Sequence, residues 1–306
     1  MPEFKTYSID QIPFRPEEVP LRPEPRKVLM CAPDFFDIVD EKNVHMQGQI
    51  GHLDKQLAIR QWQSLLEVYQ QWEKNGILEQ VTVIPGVEGL EDMVFTANQS
   101  FPYIVDGKYT VVMSRMRHPS RQREVPYFRT FFKSIGYRII DLSESVFFEG
   151  MGDLIPHYGR HLLYGGYGHR TDPGAYDEIA RSLKVPIVLL PLEDPRFYHL
   201  DTCFIPADEH TVFLTTAAFS KTTLHGIKKL FTHVVEIPEE EAAGLFALNA
   251  HLVNDKKSGK KAAVLQQGTV VMKQKLAALG FEVWEVNTSE FIKSGGSCFC
   301  LKMMYY

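Results

Sequence analysis

The 306-residue sequence is poor in cysteine, with only Cys31, Cys203, Cys298 and Cys300. Thiols so few and so scattered do not make a disulfide scaffold. Free thiols point instead to a reducing, cytoplasmic setting. No apolar run approaches the roughly 20 residues that cross a bilayer. The opening MPEFKTYSIDQ has no basic segment followed by an apolar one, so neither a membrane partner nor a signal peptide is expected. Positive charge is not in excess: 33 Lys and Arg against 38 Asp and Glu leave a net charge of −5. Without a basic stripe to displace counterions from phosphates, a nucleic-acid partner is not expected either. There is no P-loop and no dinucleotide fingerprint. His157 and His161 are four apart, but Pro156 and Gly159 argue against the helix that such a metal pair needs. Neither metal nor organic cofactor is therefore expected. What remains, 44% apolar and 23% charged, is the composition of a globular domain.

Residues 1–25 are rich in Pro and Glu without a period and read as an extended lead-in. From 26 to 306 nothing resembles a linker, so this stretch is read as a single domain. Within it a pattern repeats five times: a helix-like segment, then a short strand ending apolar-x-apolar. The pairs are LAIRQWQSLLEVYQQWEKNG with VTVIPG, PYFRTFFKSIG with YRIIDL, AYDEIARSLK with PIVLLPL, LHGIKKLF with HVVEIP, and VMKQKLAALG with FEVWEVN. In the first helix Leu53, Leu57, Trp62, Leu65, Leu66, Tyr69 and Trp72 fall at 3- and 4-residue steps on one apolar face. Gly76, Gly136 and Gly280 stand where helix C-caps belong. The equivalent points Ile84, Ile140, Leu190, Ile237 and Val286 are about 50 residues apart, a propeller-like spacing. Further β-rich stretches (FPYIV, YTVVM, HLLYGG, TVFLTT) make each unit ββαβ. Five such units suggest an α/β fold closed into a pseudo-fivefold ring, although a plain α/β sandwich would share the composition. LHGIKKLF is otherwise a basic helix face, and KKSGKK a solvated turn.

A repeat places equivalent residues at equivalent points. The polar or reactive centres that follow the five units are Asp92 to Asn98, Glu149 to Asp153, His199 with Asp201, Asn249, and Cys298 with Cys300. Carboxylate, imidazole and thiol together are the inventory of a thiol-dependent enzyme. A thiol attacks as thiolate, which a nearby cation favours. Carboxylates hold a planar guanidinium through paired charged hydrogen bonds. An imidazole can protonate a departing amine and then activate water.

The segments FFEGMGD, YGGYGHRTD, YHLDT and SGGSCFC, with DMVFTAN and NVHM, resemble the signature segments of the guanidino-group-modifying enzyme superfamily, in the same order and over residues 27–301. That superfamily contains arginine deiminases, dimethylarginine dimethylaminohydrolases, arginine dihydrolases and amidinotransferases. The resemblance implies a five-bladed α/β propeller, the pentein fold. It implies Cys300 as nucleophile, His199 as general acid and base, and Glu149 and Asp201 as guanidinium-binding carboxylates. Asp92 and Asn98 would line the substrate wall, Asn43 would lie near the guanidinium, and Asp153 would belong to the same binding set. Arg170, and Arg115 with it, would pair with the α-carboxylate of a small guanidino amino acid. An assembly of identical chains is compatible with this.

Where the chain departs from its relatives, the choice narrows. Deiminases and dimethylarginine hydrolases usually carry Asp where this chain has Asn98. The FTAN form with an early Asn-x-x-Met is more similar to bacterial arginine dihydrolase. The even repeat spacing leaves no room for the deiminases' helical insertion. Phe299 replaces a residue that is often basic. Cys298 lies two residues before Cys300; on a strand both thiols would share a face, with Cys298 either a redox partner or a small core residue. The implied reaction is hydrolysis of a guanidine C–N bond through a thiouronium. The alternatives are amidino transfer to an amine and a non-catalytic binding protein on the same fold.

Overall fold

A computed structural model describes residues 2–255 and 258–306. Lys256 and Lys257, part of the KKSGKK turn read from the sequence, lie outside the described residues.

The strands, in chain order, are β1 (Thr6–Ser8), β2 (Lys27–Cys31), β3 (Gln80–Ile84), β4 (Ser100–Val105), β5 (Lys108–Met113), β6 (Arg138–Ile140), β7 (Leu154–Pro156), β8 (Leu163–Tyr167), β9 (Ile187–Pro191), β10 (Phe204–Pro206), β11 (Thr211–Leu214), β12 (His233–Glu236), β13 (His251–Asp255), β14 (Lys260–Gln266), β15 (Glu282–Val286) and β16 (Met303–Tyr305). Five longer helices are α1 (Lys55–Lys74), α2 (Val125–Ser134), α3 (Pro173–Leu183), α4 (Lys221–Leu230) and α5 (Val270–Ala278).

Among the described residues the strands form five small sheets, none of them closed, and all five share one motif. A first strand pairs antiparallel with a second, and the second pairs parallel with a third across a helical crossover. The sets are β4-β5-β6, β7-β8-β9, β10-β11-β12, β13-β14-β15 and β16-β2-β3. Parallel neighbours cannot be joined by a tight turn, so α1 to α5 each supply one crossover. The fold is mixed α/β, and the ββαβ unit read from the sequence is its building block. The fifth sheet takes its first strand from the end of the chain and the other two from near its beginning, with Met303 opposite Leu29.

By contact the chain divides into two compact units. One comprises the chain up to Glu24, Asn98–Glu236 and Tyr306; the other comprises Pro25–Ala97 and Ile237–Tyr305. The first holds three sheets. Its core is aromatic, with Tyr103, Phe128, Phe132, Tyr164, Tyr176 and Phe204 fully buried. The lead-in does more than extend: β1 joins the β7-β8-β9 sheet as its fourth strand, parallel to β9, with Thr6 opposite Ile187. In the second unit α1 buries Leu65, Tyr69 and Trp72. The Tyr69 hydroxyl meets His251 Nδ1 at 3.2 Å. Leu53 does not join that face, because Asp54 caps the helix by accepting from Leu57 N and so starts it one residue later. Gly76, Gly136 and Gly280 all have positive φ, as helix C-caps require.

One glycine reverses the usual propensity rule. Gly226 lies inside α4, where alanine is normally better by about 1 kcal/mol. A Cβ there would sit 2.4 Å from the carbonyl oxygen of Ile9, just beyond β1. Gly226→Ala is therefore expected to lower stability by about 1–3 kcal/mol. A thermal melt beside wild type checks the sign; an unchanged or raised Tm would show that the lead-in is not held against α4.

Candidate functional site

Two clusters of polar side chains carry the expected chemistry, one in each unit. In the first unit Glu149 and His199 stand at matching points. Each immediately precedes a 3-10 turn, Gly150–Gly152 and Leu200–Thr202, and each turn runs straight into the first strand of a sheet, β7 and β10. Both side chains are almost wholly buried. His199 Nε2 lies 2.8 Å from Glu149 Oε2. The same carboxylate accepts from Arg170 Nη1 at 3.0 Å and, through Oε1, from the backbone N–H of Arg117 at 3.0 Å. Burial alone would raise the Glu149 carboxyl, but the Arg170 charge, the His199 bond and charge, and the Arg121 charge outweigh it and hold it well below the usual carboxylate range. An ionised carboxylate only accepts, so Nε2 must carry the proton and Nδ1 is the ring's exchangeable nitrogen. Among the described residues Nδ1 is buried with no hydrogen-bond partner.

Asp153 closes the cluster without joining the ring directly. Its Oδ2 accepts from Thr171 Oγ1 at 2.6 Å and its Oδ1 from Leu200 N at 3.1 Å, and Oδ2 is 4.0 Å from His199 Nε2. It thus ties the turn after His199 to the segment that supplies Arg170. Asp201 is buried on that turn. Asn98 presents Oδ1 to Arg121 Nη1 at 3.1 Å. Its Nδ2 has no partner among the described residues and faces Gly152, where a Cβ would stand 2.4 Å away. Arg170 does not stand open as a carboxylate clamp: beyond Glu149, its guanidinium carbon lies 4.7 Å from the Tyr198 ring centre. Arg115 is half-buried, and its Nε has no hydrogen-bond partner among the described residues.

In the second unit Cys300 is buried in a turn, not on a strand. The alternation that would align it with Cys298 is therefore lost. Ser297 Oγ is 3.8 Å from the Cys298 sulfur, and burial pushes the Cys298 thiol up to about 12, against the lowering effect of that hydroxyl. Cys298 is a core thiol at neutral pH. The Cys300 turn is held by Asn249, whose Oδ1 accepts from Ser297 N at 2.9 Å and Cys300 N at 3.1 Å, while its Nδ2 donates to Cys300 Sγ at 3.1 Å. Asn43 caps a short 3-10 turn by accepting from His45 N and donates to Ser294 O at 3.0 Å, beside the glycine pair that precedes Cys300. Asp92 pairs with Lys42 Nζ at 3.0 Å. Among the described residues no group of three His, Cys, Asp or Glu could hold a metal, and no helix is long and apolar enough to cross a membrane.

The family model for eukaryotic N,N dimethylarginine dimethylhydrolase matches residues 37–305. The chain belongs to that family. It therefore falls within the guanidino-group-modifying enzyme superfamily. Over 90% of its length it is 34% identical to the bifunctional arginine dihydrolase/ornithine cyclodeaminase ArgZ of Synechocystis sp., and it spans only 37% of that protein. It is 35% identical to the N(G),N(G)-dimethylarginine dimethylaminohydrolase of Mycobacterium tuberculosis, covering 91% of this chain and 85% of that one. Crystal structures of the N-terminal domain of cyanobacterial ArgZ, bound to substrate and covalently bound to a reaction intermediate, superpose with a TM-score of 0.82. Their identities are 33% and 32%, over 91% of this chain and 97% of each of those.

Two residues of this dimethylarginine dimethylhydrolase-family chain were not singled out by its motifs. Arg121 orients Asn98 while bound to Glu124 at 3.1 Å; the only hint in the sequence is their i,i+3 spacing. Asn249 was visible only as the polar residue after the fourth unit.

Asp153 makes a measurable pH signature. Burial lifts its carboxyl to about 6 from 3.8, against the His199 charge and the Thr171 bond, which lower it, while Glu149 raises it further. A folded-state value above the unfolded one means that the group's contribution is fully present below about 4 and is lost as pH rises through about 6. Asp153→Asn removes that titration. Relative to wild type, the variant is expected to gain about 2–3 kcal/mol between pH 4 and pH 7. Urea melts of both proteins across that range check it, and a pH-independent difference would contradict it.

Proposed function

We propose that this chain is a thiol hydrolase that cleaves a guanidine C–N bond of arginine or an N-methylated arginine, with Cys300 as nucleophile and His199 as acid and base. The observation that carries the reading is the state of His199. Its Nε2 is committed to an ionised Glu149, which leaves a water-sheltered Nδ1 able to give or take a proton.

The Cys300 thiolate adds to the guanidine carbon and forms an S–C bond. The tetrahedral adduct collapses as its C–N bond breaks and His199 Nδ1–H protonates the leaving amine. Water then gives a proton to the same nitrogen and adds to the thiouronium carbon, and the S–C bond breaks to release a ureido product and the thiolate. The covalent intermediate captured on the ArgZ domain supports such a path. Glu149 has its oxygens engaged by Arg170, His199 and the Arg117 N–H, so in this reading it fixes the ring's tautomer and charge. Asp201 is then the carboxylate for the guanidinium, with Asp92, Asn98 and Asn43 on the substrate wall. Arg115 takes the α-carboxylate, while Arg170 sustains Glu149 and Asp153 holds the His199 turn.

Arginine is the favoured substrate, because Asn98 matches the arginine dihydrolase form and the ArgZ domain is named for that reaction. Loss of ammonia gives citrulline, and a second hydrolysis gives ornithine; a methylarginine would release methylamine or dimethylamine instead. The cyclodeaminase part of the bifunctional relative is not carried over. The pseudo-fivefold pentein propeller and the treatment of residues 26–306 as one catalytic domain belong to the same proposal, supported by the strand pattern common to five sheets.

The test is incubation with L-arginine and with asymmetric dimethylarginine, measuring citrulline, ornithine and released amine. Turnover is expected to fall by more than about 1,000-fold in Cys300→Ser. Mass spectrometry of quenched reactions should place the adduct on Cys300. Retained activity in Cys300→Ser, with loss in Cys298→Ser, would overturn the assignment of the nucleophile.

A further inference from the structure

We propose that Asn249 is a catalytic residue, whose side-chain amide stabilises the Cys300 thiolate. The inference rests on the reading of Cys300 as nucleophile. The contact that carries it is the 3.1 Å approach of Asn249 Nδ2 to Cys300 Sγ.

An amide side chain can be turned end for end, so the direction of this bond needs an argument. The other end supplies it. The second side-chain atom of Asn249 faces two backbone N–H groups, those of Ser297 and Cys300, at 2.9 and 3.1 Å. Backbone N–H groups only donate, so that atom must be the oxygen and the NH2 must face the sulfur. The donor is also rigid. Asn249 is fully buried, its N–H bonds Phe246 O at 2.9 Å, and its carbonyl accepts from Phe299 N at 2.9 Å. Phe246 adopts a left-handed φ of 50°, which a bulky residue rarely takes, and its ring packs edge-on to His45 at 4.7 Å between centroids. The turn that aims Asn249 is thus held in place from several sides.

Cys300 is only 2% exposed, so water does little to solvate a charge on it. A buried thiolate needs a donor, and a fixed N–H favours the charged form over the neutral one. No proton or bond moves on Asn249; it acts by solvating Sγ while the thiolate forms and again when it departs.

The experiment is the pH dependence of Cys300 alkylation by iodoacetamide, read by peptide mass spectrometry in wild type, Asn249→Ser and Asn249→Asp. Ser keeps one acceptor for the loop but cannot reach the sulfur. Its alkylation midpoint should rise by about one unit, with a rate at neutral pH about tenfold lower. The rate at high pH, where every thiol is ionised, should stay close to wild type. Asn249→Asp should raise the midpoint further, because it sets a carboxylate against the thiolate. A role in loop packing alone would change the high-pH rate and leave the midpoint in place, and that result would overturn the proposal. Should a variant not fold, wild type decides: the 15N-labelled Asn249 side-chain resonance should titrate with Cys300, and its failure to do so counts equally against the proposal. If Cys300→Ser retains turnover while the midpoints shift as stated, the nucleophile reading fails. If Cys300→Ser is inactive and the midpoints do not move, only the role of Asn249 fails.

Discussion

A carboxylate with no solvent exposure is the constraint around which the first unit is arranged. Glu149 is fully buried, and a single ion pair rarely repays the cost of taking two charges out of water. Glu149 is tolerated because it is satisfied from three directions, by the guanidinium of Arg170, the ring of His199 and the backbone N–H of Arg117. Each partner requires something further of the chain. Arg170 lies over Tyr198, and Asp153 must fasten the Leu200–Thr202 turn so that the imidazole stays in reach. The Glu149 N–H is itself taken up by the Thr171 hydroxyl, which in turn donates to Asp153. The chemistry assigned to His199 follows from a requirement for stability: the ring that neutralises part of this buried charge is left with one nitrogen unspent.

Much of this fold was legible because local signals and repeats agree. All five helical segments read from periodicity are helices, and each is followed by the parallel strand of its unit. The repeat extends to the site itself. Glu149 lies five residues before Leu154 of β7 and His199 five before Phe204 of β10, and both strands end Ile-Pro. The 3-10 bonds match as well, Asp153 N to Gly150 O and Cys203 N to Leu200 O. An acid and an imidazole at one register of successive units could therefore be named from sequence. Strand β1 could not, because three residues carry too little pattern and its partner lies some 180 residues away.

Partner choice was less legible than position. The sequence offers Arg115, Arg117, Arg121 and Arg170 near the motifs, and nothing local says which of them meets Glu149. Burial narrows the choice to Arg121 and Arg170, both 5% exposed, and the packing of distant segments decides between them: Arg121 meets Glu124 and Arg170 meets Glu149. The same holds for the two asparagines. Asn98 and Asn249 are uncharged and carry no periodic signal, yet each has its carbonyl oxygen pinned by fixed donors, so that its NH2 is aimed in a definite direction. A carboxamide with one end immobilised acts as an oriented dipole, and sequence shows only that an amide is present.

The glycines beside the reactive groups divide into two kinds, which the motifs alone do not separate. Gly150 and Gly295 have φ of 59° and 84°, so the backbone itself calls for glycine. Gly152 and Gly296 do not lie in that region. A Cβ on Gly152 would come within 2.4 Å of Asn98 Nδ2 and 3.3 Å of His199 Nδ1; one on Gly296 would meet the Phe95 ring at 2.6 Å and the Cys300 Cβ at 3.1 Å. In each unit, then, one glycine bends the chain and a second close by clears space beside a side chain proposed to react. Any side chain at the second kind would press on His199 Nδ1 or on the Cys300 turn even where the backbone could accept it. The GMG and SGG segments are therefore better understood as steric conditions on two side chains than as flexible loops.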